Sequence, residues 1–369
     1  MRVGIDAHCI GHGKTGNETY TYNLVKHLSL LEAEDIDYLI YLTAKGKREE
    51  GLFFEERFRA QLIRPESPFI RIPIGFAMDS RAHTLDLLHA QYLLPYQLKC
   101  RTVLTVHDVL YERFPEFFTK ADYYRNKLGI PWSCRRADHI ITVSESSKND
   151  LVQFYGLDPE RITVTYHGAD DCYRPIDKGE ATEHLRKYGI EGDFLLYVGT
   201  IQPRKNVPRL LSAFAHLKKR GLPHKLVIVG PKAWLSEEAF RALENNPAKR
   251  DVVVTGYVPR SDLAYFYNAA TVFVYVSISE GFGLPVIEAM ACGTPTITSL
   301  GSSLEEIAGG AAVLIDPLDD LAIASAIEDV LSDSGRRTEL RELGLARSKQ
   351  FSYRKMATQT QAIYRHLMS

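Results

Sequence analysis

The sequence lacks several features that would each have fixed its class. No run of apolar residues approaches the roughly 18 needed to cross a bilayer as a helix, so no membrane span is expected. The five cysteines, Cys9, Cys100, Cys134, Cys172 and Cys292, are scattered without a C-x-x-C pair. That spacing argues against a disulfide framework or a zinc site and favours a reducing compartment. Neither sign of charge is in excess: 45 lysines and arginines stand against 46 aspartates and glutamates, which leaves no global basic field to hold nucleic acid. The opening MRVGIDAH has no basic segment followed by an apolar one, as a secretory signal would, and runs at once into strand-like sequence. A cytosolic protein is expected, able to touch the inner face of a membrane.

What is present is an α/β pattern. A chain of 369 residues is long for one ordinary core and suggests two domains. Short β-branched runs at 3–6, 38–43, 102–106, 139–143 and 162–166, then at 194–199, 225–229, 252–255, 271–276 and 294–298, alternate with helix-period segments. This is the signature of parallel sheets with crossover helices. Between the two sets lies YHGADDCYRPIDKGE, rich in Gly, Pro and acids, which reads as a linker with its hinge near 168–178. The expected domains are 1–170 and 171–350. Residues 351–369 then form a C-terminal helix able to pack back on the N-terminal domain. The stretch 49–81 interleaves Phe53, Phe54, Phe58, Phe69 and Phe76 with Arg57, Arg59, Arg64, Arg71 and Arg81. Such a mixture suits an anionic lipid surface, or a core helix with a solvated basic face.

Two motifs compete near the N-terminus. Gly11, Gly13 and Gly16 satisfy G-x-G-x-x-G, and Gly13-Lys14-Thr15 resembles the end of a P-loop, but His8 stands where that loop needs its first glycine. A dinucleotide loop would need an acidic residue at the end of the second strand to hold the ribose. That strand ends in Thr-Ala-Lys, and Glu34, Asp35 and Asp37 precede it. What survives is a flexible loop at a helix N-terminus, placed by the pattern at 17–31, whose backbone amides can face something anionic or hydroxylated. Gly16, directly before that helix, is its most informative residue.

The stretch SEGFGLPVIEAMACGTPTITS, 279–299, is more specific. Glu280 lies in a loop after a strand, Gly281-Phe282-Gly283 lets backbone approach a ligand, Leu284-Pro285 suits a first helical turn, and Glu288 lies on that helix. Carboxylates accept from sugar and ribose hydroxyls, while a helix N-terminus favours phosphate. One loop could therefore hold a nucleotide sugar along its length.

The spacing Glu280 to Glu288 resembles the E-x7-E signature of retaining glycosyltransferases of family 4. The likeness continues through GNETYTYNLVKHL, TVHDVLYERFPEFF, HIITVSESSKNDL, VTYHGADD, YVGTIQPRKNVPRLLSAF and VTGYVPRSDLAYFYNAA. It implies the GT-B fold, two Rossmann-like domains whose parallel sheets face each other across a cleft. It also implies that Glu280 contacts the donor sugar, Glu288 the ribose, and Gly281, Phe282, Gly283 and Leu284 the donor through backbone. Arg204 and Lys205 would clamp the diphosphate; a further arginine common in relatives is Thr200 here. Gly256, Tyr257 and Val258 would read the nucleobase and His107 would stand near the anomeric carbon, with Asp108 structural. Gly16 would face the diphosphate and acceptor.

The same resemblance implies retention at the anomeric carbon by front-face attack, with a leaving-group oxygen taking the acceptor's proton and no side chain as nucleophile. Neither Asp35-x-Asp37 nor Asp170-Asp171 is placed to hold a cation on a diphosphate, so no metal and no cofactor are expected. VHDVLYERFPEFF and GTIQPRKN are similar to the bacterial mannosyltransferase branch that builds surface polysaccharides and lipopolysaccharide. GDP-mannose is then the first donor choice, followed by UDP-glucose and other UDP-sugars. A growing glycan, free or on a polyprenyl diphosphate, is the acceptor. The rival readings are a nucleotide-sugar epimerase, a non-catalytic carbohydrate-binding protein and a dehydrogenase.

Overall fold

The computed structural model describes residues 1–13, 15–32, 35–46, 58–63, 76, 84–232 and 235–369. Most of the basic and aromatic stretch 49–81, together with Lys14 and Glu34, lies outside the described residues. Contacts divide the chain into two compact units, Met1–His167 with Ser352–Ser369, and Gly168–Phe351.

In chain order the first unit contains β1 (Arg2–Asp6), α1 (Thr15–Ser29), β2 (Asp37–Leu42), β3 (Phe58–Leu62), β4 (Leu87–Gln91) and β5 (Arg101–Thr105). It continues with α2 (Leu110–Arg113), α3 (Lys120–Arg136), β6 (His139–Thr142), α4 (Glu145–Tyr155) and β7 (Ile162–Val164). The second unit holds α5 (Lys178–Leu185), β8 (Phe194–Val198), α6 (Val207–Lys219), β9 (Lys225–Val229), α7 (Glu237–Glu244), β10 (Val252–Gly256) and α8 (Arg260–Ala269). There follow β11 (Val272–Tyr275), α9 (Leu284–Cys292), β12 (Thr296–Ser299), α10 (Ser302–Ala308), β13 (Val313–Ile315), α11 (Asp320–Ser332) and α12 (Ser334–Ser348). The chain then returns to the first unit as α13 (Tyr353–Met368).

Both sheets are parallel, ordered β3-β2-β1-β4-β5-β6-β7 and β10-β9-β8-β11-β12-β13. Helices cover both faces, which is why β8 (FLLYV) and β11 (VFVY) are apolar and buried at every position instead of alternating. The helices are amphipathic to match. On α6, Val207, Leu210, Leu211, Phe214 and Leu217 are buried, while Lys218 and Lys219 close its last turn, where the helix dipole favours cations. Ends are set locally: Ser144 caps α4 by accepting from the Ser147 amide at 3.0 Å, and Gly156 at φ 62° stops it. The C-terminal helix belongs to the first unit. Tyr353, Met356, Ile363 and Tyr364 are buried, the Tyr364 hydroxyl meets His89 Nδ1 at 2.5 Å, and Gln361 donates to the Tyr38 hydroxyl at 3.2 Å.

Three strands escaped the sequence pattern. β3 (FRAQL) and β4 (LLHAQ) contain no β-branched residue, and β13 (VLI) is too short to show a period. β4 matters most. It pairs with β1 on the side opposite β2, so chain order reverses between β1 and β4 in the first sheet, as it does between β8 and β11 in the second. The crevices outside the carboxyl ends of such strand pairs are where open α/β sheets hold ligands.

Candidate active site

In the second unit, the carboxyl ends of β8, β9 and β10 are tied together by backbone. The Gly199 amide donates to Val229 O and the Gly230 amide to Gly256 O, both at 2.9 Å. A Cβ on Gly230 would lie 2.0 Å from Gly199 O, so only glycine fits that crossing. Beyond β8 the chain makes one 3-10 turn, Pro203–Lys205, and Asn206 at φ 59° leads into α6. The Asn206 amide donates to Val276 O at 3.0 Å and Pro317 O at 2.6 Å, and the Ile278 amide donates to Arg204 O at 2.8 Å. The loop after β8 is thereby fastened to the loop after β11, on either side of the switch point.

Those fastenings bring Arg204, Lys205 and Glu280 together. Lys205 Nζ donates to Glu280 Oε1 at 2.5 Å, the Arg204 guanidinium donates to Oε2, and the Tyr275 hydroxyl donates to Oε1 at 2.9 Å. Lys205 also donates to that hydroxyl and lies 5.0 Å from the centre of the Tyr275 ring. Glu280 and Lys205 are buried. Burial alone would raise the Glu280 pKa, but the two cations hold it down to about 2. The carboxylate is therefore ionised, and the three groups together carry one net positive charge. A carboxylate offers about four lone-pair positions, and three are taken by these donors.

The backbone around Glu280 is equally fixed. Ser303 Oγ donates to Glu280 O at 2.7 Å and to Phe282 O at 2.9 Å. Gly283 begins α9 at φ 112° without a side-chain cap, which leaves the positive end of that helix for a ligand. Phe282 is buried and packs edge-on against Phe351. Leu284 is the first residue of α9, with Gly281 two residues before its cap. On the same helix, Glu288 accepts from the Tyr267 hydroxyl at 2.8 Å, and burial pushes its carboxyl up to about 6. At the end of β10, Gly256 has φ 72° with open space at its Cβ position, Tyr257 is 72% exposed and Val258 is buried.

In the first unit, His107 lies two residues beyond β5, buried, with Nε2 donating to Gln91 Oε1 at 3.3 Å. Gln91 is oriented by its own amide, which donates to Asp6 O at 3.2 Å and Thr21 Oγ1 at 2.5 Å. The Nε2–H tautomer leaves Nδ1 with a lone pair, and burial lowers the ring's pKa to about 3. Tyr20 meets the ring edge-on at 4.7 Å and His167 stacks at 6.0 Å. Gly16 lies within the first turn of α1, because the helix begins at Thr15 and not after the glycine loop; nothing stands within 4 Å of its Cβ position. Gly11 (φ 79°) and Gly13 (φ 64°) make the preceding turn, and Glu18 accepts from the Gly11 amide at 2.8 Å. Asp108 accepts from the Leu110 amide at 3.3 Å, Asp35 pairs with Arg365 at 2.9 Å, and Asp170 lies 3.6 Å from Arg260. Sequence reading overlooked Tyr275, Asn206, Ser303 and Gln91, whose roles depend on loops distant in the chain. Asn206, just before Val-Pro at a helix start, carried the one local signal.

Residues 181–346 match the family description "Glycosyl transferases group 1", and residues 15–171 match "Glycosyltransferase Family 4". The chain is 34% identical over 278 residues, 75% of its length and 73% of the relative, to O-antigen chain mannosyltransferase B of Escherichia coli. The chain belongs to this glycosyltransferase family. It is also 30% identical over 69% of its length to the serotype-specific mannosyltransferase WbdA of Escherichia coli, a longer protein of which the match spans 32%. Among solved structures, sucrose-phosphate synthase of Thermosynechococcus elongatus superposes with a TM-score of 0.82 at 20% identity, covering 100% of this chain and 99% of that one. That likeness gives the glycosyltransferase its GT-B architecture. Both curated relatives are mannosyltransferases, the first of the O-antigen chain. Among the described residues no helix is long and apolar enough to cross a membrane.

Proposed function

We propose that this glycosyltransferase moves a mannosyl group from GDP-mannose to a growing glycan, with retention at the anomeric carbon and without a metal ion. The observation that carries the reading is the Arg204–Lys205–Glu280 cluster at the β8/β11 switch point, with Lys205 and Glu280 buried and Arg204 partly exposed. The mannosyl choice rests on the relatives' substrate. A sugar nucleotide's diphosphate, laid against the positive end of α9, would take over the charge of Arg204 and Lys205. Glu280, relieved of part of its pairing, would turn its lone pairs to sugar hydroxyls. As the glycosidic bond breaks, negative charge grows on the leaving diphosphate, and preorganised cations in a dry site stabilise it more than they stabilise the bound donor. A leaving-group oxygen takes the acceptor's proton. In the first unit, the bare Nδ1 of neutral His107 can accept from a sugar hydroxyl. Glu288 would accept from the ribose, backbone at Gly256, Tyr257 and Val258 would meet the base, and the open approach at Gly16 would admit the diphosphate.

The test is thermal unfolding of the full chain in EDTA with GDP, GDP-mannose, UDP and UDP-glucose, followed by proton NMR of the product's anomeric signal. Ligand at 100 times its Kd stabilises by about 2.7 kcal/mol, which is easily read. Selective stabilisation by the guanosine pair and an α-linked product support the proposal. A shift with the uridine pair alone would reassign the donor, a requirement for a divalent cation would remove the metal-free mechanism, and a β-linked product would remove retention.

A further inference from the structure

Asp6 and His8 form a pair that the reaction proposed above leaves unused. Asp6 ends β1 with its side chain 3% exposed, and its Oδ1 accepts twice from one residue, from the His8 backbone amide at 3.2 Å and from His8 Nδ1 at 2.8 Å. An oxygen that accepts from the amide is an acceptor for the ring as well, so Nδ1 carries the proton and the neutral ring keeps its lone pair on Nε2. That nitrogen has no partner among the described residues, on a side chain 21% exposed. A histidine at the surface needs no buried carboxylate to stay soluble. A carboxylate that fixes the tautomer and the orientation of an imidazole instead prepares its outer nitrogen to receive a hydrogen bond from a ligand.

The place of the pair in the fold selects the ligand. His8 lies two residues beyond β1, at the carboxyl end where strand order reverses between β1 and β4 and where an open α/β sheet holds what it binds. Gln91, the last residue of β4, joins it to His107: its side-chain amide donates to Asp6 O at 3.2 Å, and its Oε1 accepts from His107 Nε2 at 3.3 Å. His8 and His107 thus stand beyond the two strands that flank β4, and each offers a bare ring nitrogen, Nε2 of the one and Nδ1 of the other. Such lone pairs accept from hydroxyls and repel an anion. They suit a sugar and not the diphosphate of the donor.

We propose that His8 binds the acceptor: Nε2 takes a hydrogen bond from a hydroxyl of the acceptor's terminal sugar, and Asp6 is the positioning residue that aims it. The hydroxyl keeps its proton until an oxygen of the leaving diphosphate takes it, so His8 orients the acceptor and is not a base. The proposal rests on the glycan acceptor proposed above. The contact itself is read without any activity.

The experiment is proton–carbon NMR of the full chain labelled at histidine Cε1, titrated in the presence of GDP with methyl α-mannopyranoside and, separately, methyl α-glucopyranoside. The signal missing from His8→Asn is that of His8, and it should move as the mannoside is added. Kinetics with GDP-mannose and the mannoside add a second reading. His8→Asn keeps a donor for Asp6 near the place of Nδ1 but loses the outer acceptor, whereas His8→Gln carries a carbonyl out towards the place of Nε2. His8→Asn should therefore lose about tenfold in kcat/KM for the acceptor, mostly through KM, and His8→Gln should stay within about threefold of the wild type. A pair that serves only the fold predicts the opposite order, because asparagine satisfies Asp6 and glutamine does not. That order, or a His8 signal that neither sugar moves, overturns the proposal. A signal moved by the glucoside alone keeps His8 as the acceptor contact and counts against a mannosyl acceptor. A signal that moves with the mannoside while the wild type transfers nothing from GDP-mannose supports the contact and counts against the proposed donor.

Discussion

Lys205 Nζ lies 2.5 Å from Glu280 Oε1, and both side chains are more than nine-tenths buried. Removing one partner of a buried pair leaves an uncompensated charge and costs about 3–5 kcal/mol, whereas removing both costs less than the sum. Glu280→Gln strands two cations and should therefore lower unfolding stability in urea by more than Lys205→Met, which leaves Glu280 paired with Arg204, and the double variant should lose less than the sum of the two. All three should lose on the order of 100-fold in turnover, Lys205→Met because a cation that meets the leaving diphosphate is gone and Glu280→Gln because the charged acceptor for the sugar hydroxyls is gone. Additive stability losses would dissolve the coupling, and near-normal turnover in the singles would sink the assigned roles.

Gly16 gives a test in which stability and ligand approach move apart. It lies inside α1 with no atom within 4 Å of its Cβ position and no left-handed backbone. Gly16→Ala should hold or raise stability, since alanine favours a helix over glycine by about 1 kcal/mol. If the open space admits the diphosphate, the same methyl should raise the KM for donor at least severalfold. An unchanged KM would remove Gly16 from the site.

The fold class, the loop from Glu280 to Glu288 and the neighbouring cations were legible in the sequence because each is written locally: a β-branched run, a glycine pair, a proline in a first helical turn. The wiring of those parts was not. Nothing near Lys205 in the chain announces Tyr275, and nothing near His107 announces Gln91, because parallel strands bring together loops that are tens of residues apart. β4 was missed because LLHAQ is buried on both faces and carries no β-branched residue, so it shows neither alternation nor propensity. The start of α1 was misplaced by two residues because a glycine in a first helical turn looks, in sequence, like a residue before it.

Gly230 predicts a purely structural failure. Its φ of 148° and the 2.0 Å approach of Gly199 O to its Cβ position set backbone against backbone, with no side chain free to yield. Gly230→Ala should cost more than about 4 kcal/mol or prevent folding of the second unit. Gly283→Ala meets only the end of the Leu304 side chain at 2.6 Å, so its cost is mainly the strain of φ 112°, roughly 1–3 kcal/mol. Circular dichroism and urea melts of the two variants give the comparison, and equal losses would refute the backbone argument.

Acid should unfold the first unit through its histidines while the second responds with both signs. Burial holds His89 and His107 down to about 3 and His167 well below its ordinary 6.5. As pH falls from about 6.5 towards 3, the unfolded chain takes up protons that the folded chain refuses, so stability drops across that window. The depressed Glu280 acts in the same direction between its ordinary 4.5 and about 2. Glu288 opposes them. Its carboxyl is pushed up to about 6, so between 4.5 and 6 the unfolded chain ionises while the folded chain stays protonated, and stability falls as pH rises. Glu288→Gln keeps an acceptor for Tyr267 and removes that penalty. It should gain on the order of 1–2 kcal/mol above pH 6 and nothing below pH 4. His89→Gln should flatten the decline between pH 6.5 and 3. Urea melts at a series of pH values separate the two effects, and a Glu288→Gln curve parallel to the wild type would show that this carboxyl is not held protonated.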